Sequence, residues 1–434
     1  MLQRLKATFY PIERQDLAKA LPLWGSLFLL TFCYIGTKCV KYAVFLDQAS
    51  GGPGAAYVPH AKLLTMLLAF LSVAIYGKLC NHFLRERLAF VLLVSFSVML
   101  LGYDLLRPSF PLATAWFMYS LSELYSSVLQ ITMFWSLVNN LCTVQEGKRI
   151  YPFIFLGSQI GGMVSGKLAN AIIGSYGIQP MIYLVAFLTL CNAFLLLWYG
   201  RWLEAHPELL PPVEKVELRS RTSALEGLRL LLRKRYLLLI FVIMVCYNVC
   251  IIMVDFQYKV RMEGHITGQE NIGALFGDFY FYVNLASLLF LLFITKNIIR
   301  YVGLTVCLIL LPLTMGLPAI ISFMTAGWLM GLVASGIGQA GKYAFFDPSK
   351  ELLYVPCTVD EKYKAKGAID LIGHRGGKGL ASVINIIIHG YMVLWESLVY
   401  SLVFSGLLLL WIGAAVKVGK RFKEHLGGKA VNRE

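Results

Sequence analysis

The stretch RWLEAHPELLPPVEKVELRSRTSALEGLRLLLRKR, residues 201–235, is the longest polar segment of an otherwise apolar chain. Its PELLPP run, residues 207–212, interrupts regular helix, because proline lacks an amide proton and clashes with the preceding turn. Alternating charges follow, then a helical pattern, SALEGLRLLLRKR. The segment reads as a linker carrying one short amphipathic helix, not as a domain. What it separates decides the fold. Six apolar runs precede it, at roughly 21–45, 58–78, 88–106, 112–141, 150–173 and 180–200. Six follow, at roughly 236–256, 276–295, 301–323, 325–346, 367–392 and 393–417. About 20 mainly apolar residues are enough to cross a bilayer as a helix.

Composition points the same way. Of 434 residues, 58% are hydrophobic and 15% charged, against about 25% charged in soluble domains. Mean hydropathy is +0.68. A net charge of +15 would suggest nucleic acid in a soluble protein. Its distribution argues against that. Arg4, Lys6, Arg14 and Lys19 precede the first run; Lys78, Arg85 and Arg87 follow the second; Lys148 and Arg149 follow the fourth. The linker, Lys296 with Arg300, Lys350 to Lys366, and the tail from Lys417 hold most of the remainder. The alternate loops and span ends hold little: Lys62, Arg107, Lys259 and Arg261. This is the positive-inside pattern. It places both termini in the cytoplasm and agrees with an even number of spans.

The expected fold is an all-α integral membrane protein of about twelve transmembrane helices, arranged as two major-facilitator-like six-helix bundles. The expected boundaries are 1–20 for an amphipathic cytoplasmic segment, 21–200 for the first bundle, 201–235 for the linker, 236–417 for the second bundle and 418–434 for a cytoplasmic tail. In that layout substrate binds near the midplane. No cleavable leader is recognised at the start. Nine scattered cysteines form no CxxC pair and read as small buried hydrophobes. No metal site or cofactor is expected.

Ionisable groups inside a span are costly and face cavities or partners. Span one carries Lys38 and Lys41, span four Glu123, span five Lys167, span seven Asp255 and Lys259, span eight Asp278 and span ten Lys342. Span eleven carries AKGAIDLIGHRGGKG, residues 365–379, where Asp370, His374 and Lys378 recur every four residues and Arg375 adjoins His374. On an α-helix that spacing makes one drifting stripe. So many cations suit a polyanionic substrate, since phosphates need several donors and compensating charge. The bland alternative is pairing between helices or snorkelling at span ends, which fits Lys167, Asp278 and Lys259. Tyr34, Tyr42, Tyr119, Trp135, Tyr280, Phe281, Tyr282 and Tyr343 are candidate stacking partners for a base. Aromatic residues in spans also serve packing and interface belts.

No catalytic constellation competes. GGMVSG, residues 161–166, is a small-residue packing face. GHRGGKG, residues 373–379, lacks the strand and spacing of a phosphate loop. A lipid-phosphate transferase would have to rely on His374 with Asp370, and the layout offers it no soluble catalytic loop. The chain is expected not to be an enzyme.

Several stretches resemble the bacterial and plastidic ATP/ADP translocase (nucleotide transporter) family. FYPIERQDLAKALPL, residues 9–23, is similar to its W-P-I-E-R entry to span one. SELYSSVLQITMFWSLVNN, residues 122–140, is similar to its span-four block. KYAFFDPSKELLYVP, residues 342–356, is close to K-Y-S-L-F-D-x-x-K-E-M-A-Y-I-P, and KAKGAIDLIGHRGGKG, residues 364–379, resembles its span-eleven block. The resemblance implies nucleotide transport with phosphate contacts at Lys38, Lys41, Arg375 and Lys378. It also implies charge partners or proton coupling at Glu123, Asp255 and Asp370. Tyr34, Tyr42, Asn139, Tyr282, Lys342 and His374 are candidate base or ribose contacts.

Departures matter. The family's span one reads R-x-x-K-D, whereas here Lys38 replaces the arginine and Tyr42 the acid. Arg to Lys at a phosphate fork is not conservative. His374 and Gly379 also break the span-eleven pattern, and Asp255 stands where Glu is common. ATP/ADP exchange is the first expectation, proton-coupled net import of nucleotides or NAD the second, and transport of another organic anion the third. The expected partners are nucleotide and lipid bilayer, without nucleic acid, for a monomer in a bacterial inner membrane.

Overall fold

A computed structural model describes residues 14–79, 85–207, 229–231, 233–294, 303–342, 346–354, 356–357 and 369–431. Most of the linker, Tyr343 and residues 1–13 lie outside that set, and so do the side chains of Asp370 and Lys148. The described residues are helical and contain no strand. That follows from the solvent. Hydrocarbon offers no hydrogen-bond partner to the backbone, so each segment has to satisfy its own amides.

Twelve long helical segments appear among the described residues. They are α1 (Arg14–Leu46), α2 (Val58–Leu79), α3 (Arg85–Leu106), α4 (111–141), α5 (Val144–Tyr176), α6 (Ile178–Glu204), α7 (Arg235–Glu263), α8 (269–294), α9 (Leu304–Thr325), α10 (Trp328–Gly341), α11 (369–391) and α12 (Glu396–Val431). Eight of them are long and apolar enough to span a membrane by length and composition alone. The other four, α4, α5, α10 and α11, carry Glu123, Lys167, Gln339 and the Arg375–Lys378 group respectively.

The chain divides into two compact units. The first comprises residues 1–55, 64–214 and 266–288; the second comprises 56–63, 215–265 and 289–434. In the first unit α1 packs against α5 and α6, and α3 against α6. In the second, α7 packs against α10, α11 and α12, while α9 packs against α10 and α12. Helix α7 is buried on every face along most of its length. A helix apolar all round is a core helix, and α7 is the core of its unit.

Helix α1 starts earlier than the expected surface segment allows. Residues 14–20 continue the first span as helix, and Asp16 and Lys19 are buried. Both charges are answered inside the first unit. Arg149 grips Asp16 with two bonds, Nε–Oδ2 at 2.8 Å and Nη2–Oδ1 at 3.1 Å. Lys19 Nζ lies 2.7 Å from Glu146 Oε1. Glu146 also closes a capping box with Thr143 at the start of α5, satisfying two orphan amides. Burial alone would push the Glu146 carboxyl up. Bonds from Lys19 and from Thr143 outweigh it and hold the group below the usual carboxylate range.

The GGMVSG face works as the small-residue pattern implies. An added Cβ at Gly161 would collide with the Phe28 carbonyl of α1. Ser165 donates to the Phe32 carbonyl at 2.7 Å. On its other side α5 meets α8 backbone to backbone: a Cβ on Gly166 would lie 2.6 Å from the Phe281 nitrogen, and one on Gly277 would lie 2.5 Å from the Asn170 nitrogen. In lipid, where apolar surface gains nothing by leaving solvent, such close approach supplies the packing energy. Gly177, at φ +77°, makes the one-residue break between α5 and α6 in a left-handed conformation open to glycine at little cost.

Two tests follow from this packing. Gly166→Leu or Gly277→Leu should reduce folded, membrane-inserted protein severely, because overpacking of about 1–3 kcal/mol per site cannot relax against backbone. Gly413→Leu, where a Cβ meets nothing within 4 Å, should not. Fluorescence-detected size exclusion checks this. The folded-state pKa of Glu146 lies below its unfolded value, so its stabilisation is present at neutral pH and is lost as pH falls through the lowered folded value. Thermal unfolding in detergent from pH 6 to about 3 should show that loss, and Glu146→Gln should flatten it.

Candidate functional site

In the first unit the site begins at Lys41, whose side chain is completely enclosed. Its ammonium lies 2.7 Å from Glu123 Oε1, and 29% of the Glu123 side chain remains exposed. The Tyr42 and Tyr119 rings lie 4.3 and 4.5 Å from the same ammonium. A cation over an aromatic face is attracted by the ring quadrupole, and desolvation strengthens the effect. Lys38, three residues earlier on the same face, sits 4.2 Å from the Tyr280 ring and 5.3 Å from Tyr34. Tyr42 stacks on Phe276 at 4.4 Å. Two lysines, one carboxylate and an aromatic wall therefore stand together.

Glu123 stands at the end of the α-helical part of α4, and the winding changes directly after it. Residues Tyr125–Phe134 wind as π-helix, between Pro111–Leu124 and Trp135–Leu141. A π turn closes i to i+5 and is rare outside functional sites. Asn139 lies beyond it and accepts a 2.8 Å bond from the Tyr151 hydroxyl. Tyr282 is 63% exposed and packs edge-on to Phe281.

In the second unit Asp255 stands between two lysines. Lys62 Nζ approaches its Oδ2 at 2.7 Å and Lys259 Nζ its Oδ1 at 2.6 Å. Lys259 is fully enclosed, and Lys62 shows 14% of its side chain. Tyr258 donates to the same carboxylate at 3.4 Å. One carboxylate serving two ammonium groups leaves the cluster cationic.

Span eleven is also wound as π-helix, over Ile369–Gly376, and becomes α-helix at Gly377. There each turn closes from i to i+5 in place of i to i+4, so the backbone winds more slowly than the α-helix the sequence suggests. His374 is surrounded by positive charge from Lys378, Lys342, Lys350 and Arg375. Lys342 is also held by Asp347 at 3.0 Å. Lys378 and Arg375 are partly buried. The side chain of Asp370 is outside the described residues.

In the sequence Lys62 and Lys259 read only as loop or span-end charges. The i, i+4 spacing from Asp255 was the visible signal for Lys259; nothing local marked Lys62. Lys350 stood in a loop-following basic run, and its neighbourhood with His374 required the fold. The π windings had no signal in hydrophobic periodicity.

Among the described residues, the helical units hold paired charges inside their spans. Solved structures share this fold. The chain matches a solved structure of the nucleoside transporter NupG with a TM-score of 0.56 at 13% identity, covering 95% of this chain and 99% of that one. A bacterial homologue of the iron transporter ferroportin in an inward-facing state matches with 0.56 at 12% identity, over 95% and 98%. At such identities the likeness concerns fold alone.

A family model described as TLC ATP/ADP transporter matches residues 1–115, 109–330 and 322–422, so this chain belongs to that family. It is an integral membrane transporter and not an enzyme. It is 25% identical to ADP,ATP carrier protein 1 of Chlamydia trachomatis, across 96% of this chain and 91% of that protein. It is 20% identical to ADP,ATP carrier protein 3 of Rickettsia conorii, across 97% and 98%.

The Lys41–Glu123 pair yields an asymmetric test. Removing one partner strands the other, at about 3–5 kcal/mol for a fully buried pair. Glu123→Gln strands the enclosed ammonium, whereas Lys41→Met leaves a carboxylate that still reaches solvent. Glu123→Gln should therefore lower the midpoint of thermal unfolding in detergent more than Lys41→Met does. The opposite order would mean that Tyr42 and Tyr119 alone hold the cation.

Proposed function

We propose that this chain exchanges ATP for ADP across a membrane by alternating access, with Lys38, Lys41, Arg375 and Lys378 as the phosphate-binding cations. The observation that carries the reading is that Lys378, Lys342, Lys350 and Arg375 of one unit all bring positive charge within electrostatic reach of His374. A polyphosphate is the small solute whose charge matches it. Family membership and the names of the Chlamydia and Rickettsia relatives agree with it.

Glu123 and Asp255 hold their lysines when no substrate is bound. Phosphate oxygens compete for those ammonium groups, so the carboxylates neutralise the empty carrier or take up a coupled proton. An exchanger also has to discourage the empty carrier from switching. Repulsion among unscreened cations in a dry site supplies such a barrier, and bound phosphate removes it. Tyr34, Tyr42 and His374 are the candidate contacts for base or ribose. Both termini lie in the cytoplasm, the membrane is a bacterial inner membrane, and the carrier works as a monomer built of an amino-terminal and a carboxyl-terminal bundle.

One observation favours a second reading, proton-coupled net import of nucleotides or NAD. Where the family has an acid after the span-one lysine, Tyr42 stacks on Phe276 beneath the Lys41 ammonium. An aromatic ring in place of a charge changes both the electrostatics and the shape that a base would meet.

Uptake of radiolabelled ATP into proteoliposomes, with and without ADP inside, tests the choice. Exchange predicts uptake only with internal ADP; net import predicts uptake into empty vesicles under an inward proton gradient. A charged hydrogen bond is worth about 1.5–3 kcal/mol, or roughly ten- to hundredfold in affinity. Lys378→Gln and Lys41→Gln should each weaken ATP binding by that factor at unchanged membrane levels. Full uptake by both variants would sink the proposed site.

A further inference from the structure

The second unit has a cationic pocket that the transport reading does not use. Helix α12 packs against α7, and near the amino-terminal end of α7 and the basic end of α12 they border an open cleft of about 620 Å³. Lys417, Lys420 and Arg421 face it from α12, at the i, i+3, i+4 spacing that puts three side chains on one helix face. Arg235 faces it from the first turn of α7. Glu424 is the single acid among these lining residues, so four cations meet one carboxylate. Lys417, Lys420 and Arg235 are exposed.

The floor is apolar. Leu238 and Leu239, one turn into α7, line it and are half-buried. Leu410 and Val416, on the membrane side of Lys417, are exposed, so the chain offers apolar surface directly beneath the charges. A basic pocket between transmembrane helices, above apolar side chains and at the level where the span ends, suits the phosphate of an anionic lipid with its glycerol and first methylenes on the leucines. The size lies within the range of small-molecule sites.

We propose that this pocket binds the headgroup of an anionic phospholipid, with Arg235, Lys417, Lys420 and Arg421 on the phosphate and Leu238 and Leu239 beneath the glycerol. The site is separate from the transported substrate and does not depend on which nucleotide is carried. Free phosphate shares the charge chemistry but has no use for the leucine floor.

The test is native mass spectrometry of the full chain in detergent, with phosphatidylglycerol and phosphatidylcholine of matched acyl chains, alongside thermal unfolding. Phosphatidylglycerol should remain bound and raise the unfolding midpoint by several degrees; phosphatidylcholine should do neither. The triple variant Lys417→Gln, Lys420→Gln, Arg421→Gln should lose at least fivefold of the bound lipid. A control with equal charge loss, Lys78→Gln, Arg87→Gln, Arg201→Gln, should retain it. Should the triple variant not fold, Lys420→Gln alone should show a measurable part of the loss. Equal binding of both lipids, equal loss in both triple variants, or no loss in Lys420→Gln overturns the assignment. So does displacement of the lipid by about 10 mM inorganic phosphate, which would make this a free-phosphate pocket.

Discussion

A charge placed in hydrocarbon has to be answered by another charge, and this chain is organised around that requirement. Three acids of the described helices show it. Lys41 is held by Glu123, Asp255 holds both Lys62 and Lys259, and Asp16 is gripped by Arg149. Ion pairs of this kind add little net stability, because desolvation offsets most of the attraction. Their cost makes sense when the charges are needed for something else. Lysines, not only acids, are thereby held deep inside both units.

The backbone serves the same end. Close crossings at Gly161, Gly166 and Gly277 draw α1, α5 and α8 together without bulky side chains. Lys38 and Lys41 on α1 can then stand beside Tyr280 and Phe276–Tyr42. The π windings of α4 and α11 occur in the two spans that carry Glu123 and the Arg375–Lys378 group. π turns are rare and frequent at functional sites; Glu123 and Lys378 each sit in α-helix directly beside one.

Family membership and local chemistry carry different weight. Matches along nearly the whole chain establish the TLC ATP/ADP transporter family. The substrate is argued from the site, because one transporter fold serves many solutes. At Lys38 and Tyr42 this chain departs from the family pattern, and both residues lie in the aromatic cluster around Lys41.

The fold could be read from order and composition. Twelve apolar runs, the polar break at 201–235 and the alternation of basic loops require only the bilayer's two rules, span length and the positive-inside bias. Lys41, Glu123, Asp255, Arg375 and Lys378 were visible as well, because a charge in an apolar run stands out in one dimension. The partners were not. Lys62 and Asp255 are 193 residues apart, and Lys41 and Glu123 are 82 apart. No local pattern encodes which acid meets which lysine. Nor did periodicity distinguish α from π winding, since both keep an apolar face over a few turns. The sequence by itself determined what had to be buried and where charge would be expensive. Only the tertiary structure decided which charges answer each other, because that depends on how closely glycine lets separate helices approach.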